Sequence, residues 1–333
     1  MLTRSVSEGM LAPRLLFLTP RVAEGPSPME LQHSIGKSVV CEGVGLHTGA
    51  AVTMTLHPAP ADRGVMFRVG AERRRVPVRP ESLVNGHYAT TLGRNGVQIQ
   101  TVEHFLAAVR GLAIDNLLVE LDGPELPAMD GSAAPFVALL YAAGRAAQPA
   151  RRRPALSVVE TIRVGDEARW VQISPSPDLR ISYTLDLDHP AVGVQAASIV
   201  LTEERFVREL ASARTYGFLK DLELLRQQGL ALGGSLENAV VVGQERILNG
   251  TLRFRDEFVR HKILDVIGDL ALLGRPVVGH VVARNAGHAL NHQLVREIAR
   301  RAYRWEANLD HAPSHPRLGR RQEAPARSRA AAR

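Results

Sequence analysis

Cysteine is almost missing from this chain: Cys41 is the only one in 333 residues. A disulfide framework and a thiolate zinc site are both excluded, and the scarcity fits a reducing compartment. An uninterrupted apolar run of about 18 residues, the length a membrane-spanning helix needs, is absent as well. The stretch Leu15-Leu16-Phe17-Leu18 is too short for the apolar part of a secretory signal, and Pro13, Arg14, Pro20 and Arg21 close it in. Leu232-Gly233-Gly234-Ser235 lacks the Lys-Ser/Thr ending of a phosphate loop and reads as a turn. There is no repeat of the solenoid kind.

What remains is an ordinary globular composition, 45% hydrophobic and 23% charged, in a chain long enough for two domains. The formal net charge of +7 gathers in Arg151-Arg152-Arg153 and in the tail from Pro316. There Arg317, Arg320, Arg321, Arg327, Arg329 and Arg333 stand mostly among small residues and Pro. No nucleic-acid recognition motif accompanies this charge, so a solvated, disordered tail is expected and a nucleic-acid partner is not. Residues 1–30 read as a disordered extension, with Met29 as an alternative start. The expected location is the cytoplasm.

Alternation at Ser38–Cys41 and Ala51–Leu56 predicts strands around the turn Gly43-Val44-Gly45-Leu46-His47-Thr48-Gly49. Thr101 is placed as the N-cap of a helix ending at Gly111, followed by a strand at Asn116–Leu121 and a helix at Ala133–Ala143. The basic, Ala/Pro-rich stretch Gly144–Pro154 reads as a domain boundary. Beyond it, strands are expected at 156–164, 169–173, 181–187 and 277–283. Helices are expected at 203–210, 221–228, 256–273 and 291–305. Strands followed by helices in both halves predict an α+β chain of packed layers. The assignment is an N-terminal α+β domain over 31–150, a C-terminal one over 154–306, and a basic disordered tail over 307–333.

Two segments carry the chemistry. In Phe258-Val259-Arg260-His261-Lys262-Ile263-Leu264-Asp265-Val266-Ile267-Gly268-Asp269, helical spacing puts His261, Asp265 and Asp269 one turn apart on one face. Val259, Ile263, Val266, Ile267, Leu270 and Leu273 fall on the other side. Thr101-Val102-Glu103-His104 supplies a further imidazole beside a carboxylate. His104, His261 and Asp265 can bind a metal and leave a fourth position open, the plan of a catalytic zinc site. Glu103 can then serve as base for a water, Asp269 can hold the free ring nitrogen of a histidine, and the loop residue His288 can protonate a leaving amine. Taken alone, each signal is ordinary: HxxxD on a helix is usually a surface pair. His47 reads as structural, or as lining a cleft.

The combination resembles the UDP-3-O-acyl-N-acetylglucosamine deacetylases, zinc amidases of lipid A biosynthesis. The likeness runs from about Ser34 to Trp305. It rests on the His47 turn and Thr101–His104, on Met129-Asp130-Gly131-Ser132-Ala133-Ala134-Pro135-Phe136, on Ala213-Arg214-Thr215-Tyr216-Gly217-Phe218, on Phe258–Asp265, and on Gly287-His288-Ala289-Leu290-Asn291. It implies two similar helix-on-sheet domains with the active site at their interface. It implies one Zn2+ on His104, His261 and Asp265, with Fe2+ as the alternative metal. Glu103 would be the base. His288 would be the cation at the oxyanion or leaving amine, charged by Asp269, and Thr215 would donate to the oxyanion.

Lys262, Asp186, Phe218 and Tyr216 would contact the nucleotide-sugar lipid. Leu219, Leu222, Leu224, Leu225, Leu230 and Leu232 would line an apolar passage for its acyl chain. The family can carry Phe at Tyr216 and Asn at His292. A lysine it can use near the diphosphate aligns with Val159. A monomer is expected, with no membrane span and only transient membrane proximity. The alternative within the class is a zinc amidase acting on another N-acylated sugar or a peptide. A non-catalytic protein binding nucleotide sugar or RNA through the tail is the alternative outside it.

Overall fold

The computed structural model describes residues 31–310; the N-terminal extension and the tail from residue 311 lie outside the described residues. The chain starts with strands β1 (Leu31–Ile35), β2 (Val39–Val44), β3 (Ala51–Pro58), β4 (Val65–Val69), β5 (Arg74–Pro77), β6 (Leu83–Asn85), β7 (Thr91–Arg94) and β8 (Val97–Ile99). Helix α1 (Glu103–Gly111), strand β9 (Leu117–Leu121), helix α2 (Ala134–Ala143) and strand β10 (Arg145–Arg151) follow. Next come β11 (Leu156–Ser157), β12 (Ile162–Gly165), β13 (Trp170–Ser174), β14 (Leu179–Asp186) and β15 (Val194–Val200). The chain continues through α3 (Glu203–Glu209), β16 (Tyr216–Phe218), α4 (Leu219–Gln227), β17 (Val240–Val242), α5 (Glu257–Leu270), β18 (Val277–Arg284) and α6 (His288–Asp310).

Two mixed sheets dominate, with strand orders β2-β3-β9-β4-β5 and β12-β13-β18-β14-β15. Along these orders the pairings match: β9 runs parallel to β4 as β18 does to β14, and the other neighbours in each order are antiparallel; the second sheet adds β11, parallel to β18. The chain thus uses one α+β topology twice, although no sequence repeat announces it. Strand alternation turns Val52, Met54 and Leu56 inward from β3, and Ile181, Tyr183 and Leu185 inward from β14. Helices α1 and α2 cover the first sheet, and Phe105 of α1 stacks edge-on against Phe136 of α2, 5.5 Å between ring centres. Helices α5 and α6 cover the second.

Between the sheets α1 lies against α5. Both helices are buried almost all round, so α5 shows no polar surface face: His261, Asp265 and Asp269 are as buried as Ile263 and Ile267. Gly268 makes the close crossing possible, because a Cβ there would stand 2.1 Å from the Glu103 carbonyl oxygen. Gly268→Ala therefore forces α1 away from α5. It is expected to cost about 1–3 kcal/mol, as overpacking does, read as a lower denaturant midpoint.

Three sequence expectations need correction, and the stretch expected to mark a boundary carries a strand. The Gly144–Pro154 stretch is mostly the edge strand β10, paired antiparallel with β1 through Ser34–Ala146 and Ile35–Arg145. Ala146 and Ala150 are half-buried, Arg145 and Arg151 are exposed, and Pro149 sits where an edge strand tolerates a missing N–H. Thr101 is not a helix cap: it takes a left-handed φ of 58° and its hydroxyl donates to Glu125 Oε1 at 2.6 Å, so α1 starts at Glu103 without a side-chain cap. The strand expected over 156–164 is broken into β11 and β12. Helix α6 begins at His288 and continues to Asp310, so the first residues assigned to the tail are helical.

Candidate active site

Three helix segments converge in the core: the first turn of α1 with Glu103 and His104, the middle of α5, and the start of α6 with His288. A buried ion pair fixes the start of α5. Glu257 accepts from Arg214 Nε at 2.8 Å, Nη2 at 3.1 Å and the Arg214 amide at 3.0 Å. This locks the segment Ala213–Thr215 beside α5, and His261 Nδ1 donates to the Ala213 carbonyl at 3.1 Å. The tautomer is thereby set, with the Nε2 lone pair free. Gly131 brings the Asp130-Gly131-Ser132 turn against the same segment: it has a φ of 81°, and a Cβ would stand 2.1 Å from the Asn238 carbonyl oxygen. Its own carbonyl accepts from Thr215 N at 2.8 Å. These contacts are the physical content of the Asp-Gly-Ser and Arg-Thr-Tyr motifs.

The donor atoms of His104, His261 and Asp265 all lie within 4.8 Å of one another. His104 Nε2 is 3.6 Å and His261 Nε2 3.3 Å from Asp265 Oδ1. That oxygen is buried and has no hydrogen-bond partner, an arrangement that is costly unless something else takes up its lone pairs. Burial pulls the His261 imidazole down to about 3, so it is a neutral donor. Burial alone would raise the Asp265 carboxyl, but facing His261, Lys262 and His288 hold it well below the usual carboxylate range. Its second oxygen accepts from Lys262 Nζ at 2.8 Å. Two imidazoles and a carboxylate with an orphaned oxygen fit a divalent metal ion.

Beside this triad a carboxylate faces an imidazole. Glu103 Oε1 is 3.6 Å from His288 Nε2. His288 Nδ1 donates to Asp269 Oδ2 at 2.9 Å, and Asn291 Nδ2 donates to the same oxygen at 2.8 Å. Burial opposes the imidazolium, yet the carboxylates of Asp269, Glu103 and Asp265 prevail and hold His288 up at about 9. Asp269 is held below its ordinary range: burial works against the carboxylate, and His288 and His292 outweigh it.

The cluster opens into a cavity of about 970 Å³. Glu103, His104, Thr215, His261, Lys262, Asp265 and His288 line its polar end, and Tyr216 and Phe218 flank it. The other end is apolar, built from Leu219, Leu222, Leu224 and Leu225 of α4 with Leu236 and Leu248. Leu230 and Leu232 of the expected passage are not in the lining. Asp269 sits behind His288. Asp186 stands apart, paired with Arg284 at 2.6 Å at the end of β14, and Val159 is exposed outside the cavity. His47 does line it. Its turn is clasped from both sides: Glu125 accepts from the His47 and Thr48 amides at 2.9 and 2.7 Å, and the Leu46 carbonyl accepts from Gly233 N at 3.1 Å.

Sequence reasoning missed Arg169 and Thr90. Arg169 lines the cavity from the β12–β13 turn, with its Nε donating to the Asn285 carbonyl at 3.2 Å. A basic residue two positions past an acidic turn signals nothing by itself. Thr90 is fully buried between Glu103 and Asp269, with bonds to both.

A family model described as LpxC, UDP-3-O-acyl N-acetylglycosamine deacetylase, matches residues 32–300. The chain belongs to this family. Among its relatives, proteins named UDP-3-O-acyl-N-acetylglucosamine deacetylase are 51% identical in Myxococcus xanthus, over 80% of this chain and 86% of that protein. The one in Syntrophotalea carbinolica is 45% identical, over 87% of this chain and 95% of that protein. The one in Oleidesulfovibrio alaskensis is 47% identical, over 80% and 88%. The deacetylase family match encloses every residue of the triad, Glu103, His288 and the cavity lining. Among the described residues, no helix is long and apolar enough to cross a membrane.

Proposed function

We propose that this protein hydrolyses the acetamide of UDP-3-O-acyl-N-acetylglucosamine, using one zinc ion held by His104, His261 and Asp265. The observation that carries the reading is the juxtaposition of an unsatisfied His–His–Asp donor set, a Glu103–His288 pair and a leucine-lined cavity in a chain of this family. Zinc, when bound, supplies Lewis-acid polarisation and lowers the pKa of a water.

The chain's own groups do the rest. Glu103 takes a proton from the attacking water at Oε1, while the Thr90 N–H holds Oε2 at 3.0 Å. His288, charged below about 9, directs Nε2–H at the developing oxyanion. Thr215 supplies a second donor through its hydroxyl. The Nε2 proton then passes to the departing amine, the C–N bond breaks, and acetate and UDP-3-O-acyl-glucosamine leave. Asp269 keeps Nδ1–H occupied, so Nε2 is the nitrogen that gives its proton. Lys262 and Arg169 put positive charge where the anionic diphosphate enters, and Tyr216 and Phe218 offer ring faces to the nucleotide sugar. Asp186 would take part only from the cavity's edge.

A two-domain division near 150–154 belongs to this reading, supported by sheets that share no strand across it among the described residues. So does a monomer acting in the cytoplasm at the edge of a lipid-bearing substrate. Arg169→Ala is expected to raise KM about tenfold with kcat nearly unchanged, as loss of uniform binding does; steady-state kinetics check it. The test of the substrate is turnover with and without the 3-O-acyl chain. UDP-N-acetylglucosamine lacking that chain is expected to react at least about a hundredfold more slowly in kcat/KM. Equal turnover of the two would move the reading to a zinc amidase of another N-acylated sugar.

A further inference from the structure

We propose that Thr90 is a positioning residue that fixes the general base and the protonated histidine relative to one another. It rests on the roles given above to Glu103 and His288. Thr90 precedes β7, carries no solvent exposure, and touches both partners with different atoms. Its amide donates to Glu103 Oε2 at 3.0 Å. Its hydroxyl donates to Asp269 Oδ1 at 2.5 Å, and Asp269 Oδ2 holds His288 Nδ1. Its carbonyl accepts from Val102 N at 3.4 Å, next to the start of α1. One residue thus spans from the base on α1 to the carboxylate on α5 that orients the histidine on α6.

His292 sets the direction of that hydroxyl. Its Nε2 lies 2.8 Å from Thr90 Oγ1 and 3.3 Å from Asp269 Oδ1. A hydroxyl has one proton, and Asp269 takes it, so His292 must be the donor at Nε2. Gly86 leaves room for its ring, since a Cβ there would stand 2.4 Å from His292 Nδ1. All four hydrogen bonds to Asp269 are then accounted for, two at each oxygen, and rotation of its carboxylate would break them together. A buried carboxylate bonded at both oxygens holds its partners rigidly. The consequence is a fixed Glu103–His288 spacing before substrate arrives.

The experiment compares Thr90→Val, which keeps shape and amide but loses the hydroxyl, with Thr90→Ser, which keeps the hydroxyl. Thr90→Val is expected to lower kcat by about 10- to 100-fold, the range for groups that orient a reacting residue from behind, with KM within about threefold and metal content unchanged. Thr90→Ser is expected to recover most of kcat. Three results would overturn the proposal: unaltered kcat in Thr90→Val, a Ser variant no better than Val, or metal lost in step with kcat. His292→Leu, expected to lower kcat about three- to tenfold at unchanged KM and metal content, keeps the test open if Thr90→Val does not fold. Unchanged kcat in His292→Leu would then count against the network. Glu103→Ala assayed alongside separates the two levels: activity surviving in it sinks the role of the base itself, whereas its loss beside an unaffected Thr90→Val sinks only the role of Thr90.

Discussion

Glu103→Ala is expected to lower kcat by about three orders of magnitude, within the range for loss of a positioned general base, while the protein keeps its full complement of zinc. Glu103 belongs to the first turn of α1 next to a ligand, but its carboxylate is outside the donor set: one oxygen is held by the Thr90 amide and the other faces His288. Removing it leaves His104, His261 and Asp265 in place. His261→Ala is the contrast. That imidazole is neutral, its Nδ1 is anchored on the Ala213 carbonyl, and its Nε2 points at the orphaned oxygen of Asp265. Its loss is expected to remove metal and activity together. Metal analysis of the two purified variants, beside their turnover, checks the split; equal zinc loss in both would contradict it.

Asp269→Asn is expected to lower kcat by about a hundredfold or more, with metal content retained and the alkaline limb of the pH–rate profile moved to lower pH. The sign follows from the charge. Asp269 is the foremost of the carboxylates that hold His288 up at about 9 against the pull of burial. The cationic form is therefore present below that value and is lost as pH rises through it. A neutral amide removes the largest supporting charge, so the imidazolium is lost at a lower pH. Geometry suffers too. Asp269 accepts from Thr90, His292, His288 and Asn291, and an amide offers one oxygen where the carboxylate offers two, turning an NH2 toward groups that donate. A pH–kcat profile of the variant with an unmoved alkaline limb would show that His288 does not set that limb.

Much of the site was legible because its key spacing is local. His261, Asp265 and Asp269 lie on one continuous helix, and helical period alone stacks them; Glu103 and His104 are neighbours in the chain. Alternation marked β2 and β3, and β9, β13, β14 and β18 bury every second residue. What escaped depends on distant pairing. The short strands β4 to β8 hold three to five residues each, several of them arginine or glycine, and exist because β4 lies beside β9 and β7 between β6 and β8. Strand β10 was hidden by its arginines and proline, since an edge strand can carry both. Thr101 looked like a cap because its type suits one, yet Glu125, 24 positions later, claims its hydroxyl. Thr90 is as uninformative in sequence as any threonine, and its importance arises only where three helices meet. The doubled sheet topology left no trace in the sequence, because it is kept by buried alternation rather than by particular residues.

Acetate release from UDP-3-O-acyl-N-acetylglucosamine by the purified protein, measured as isolated, after chelation and after zinc is restored, tests the central claim most directly. The predicted result is release that vanishes on chelation and returns with zinc. No release from folded, zinc-loaded protein would contradict it.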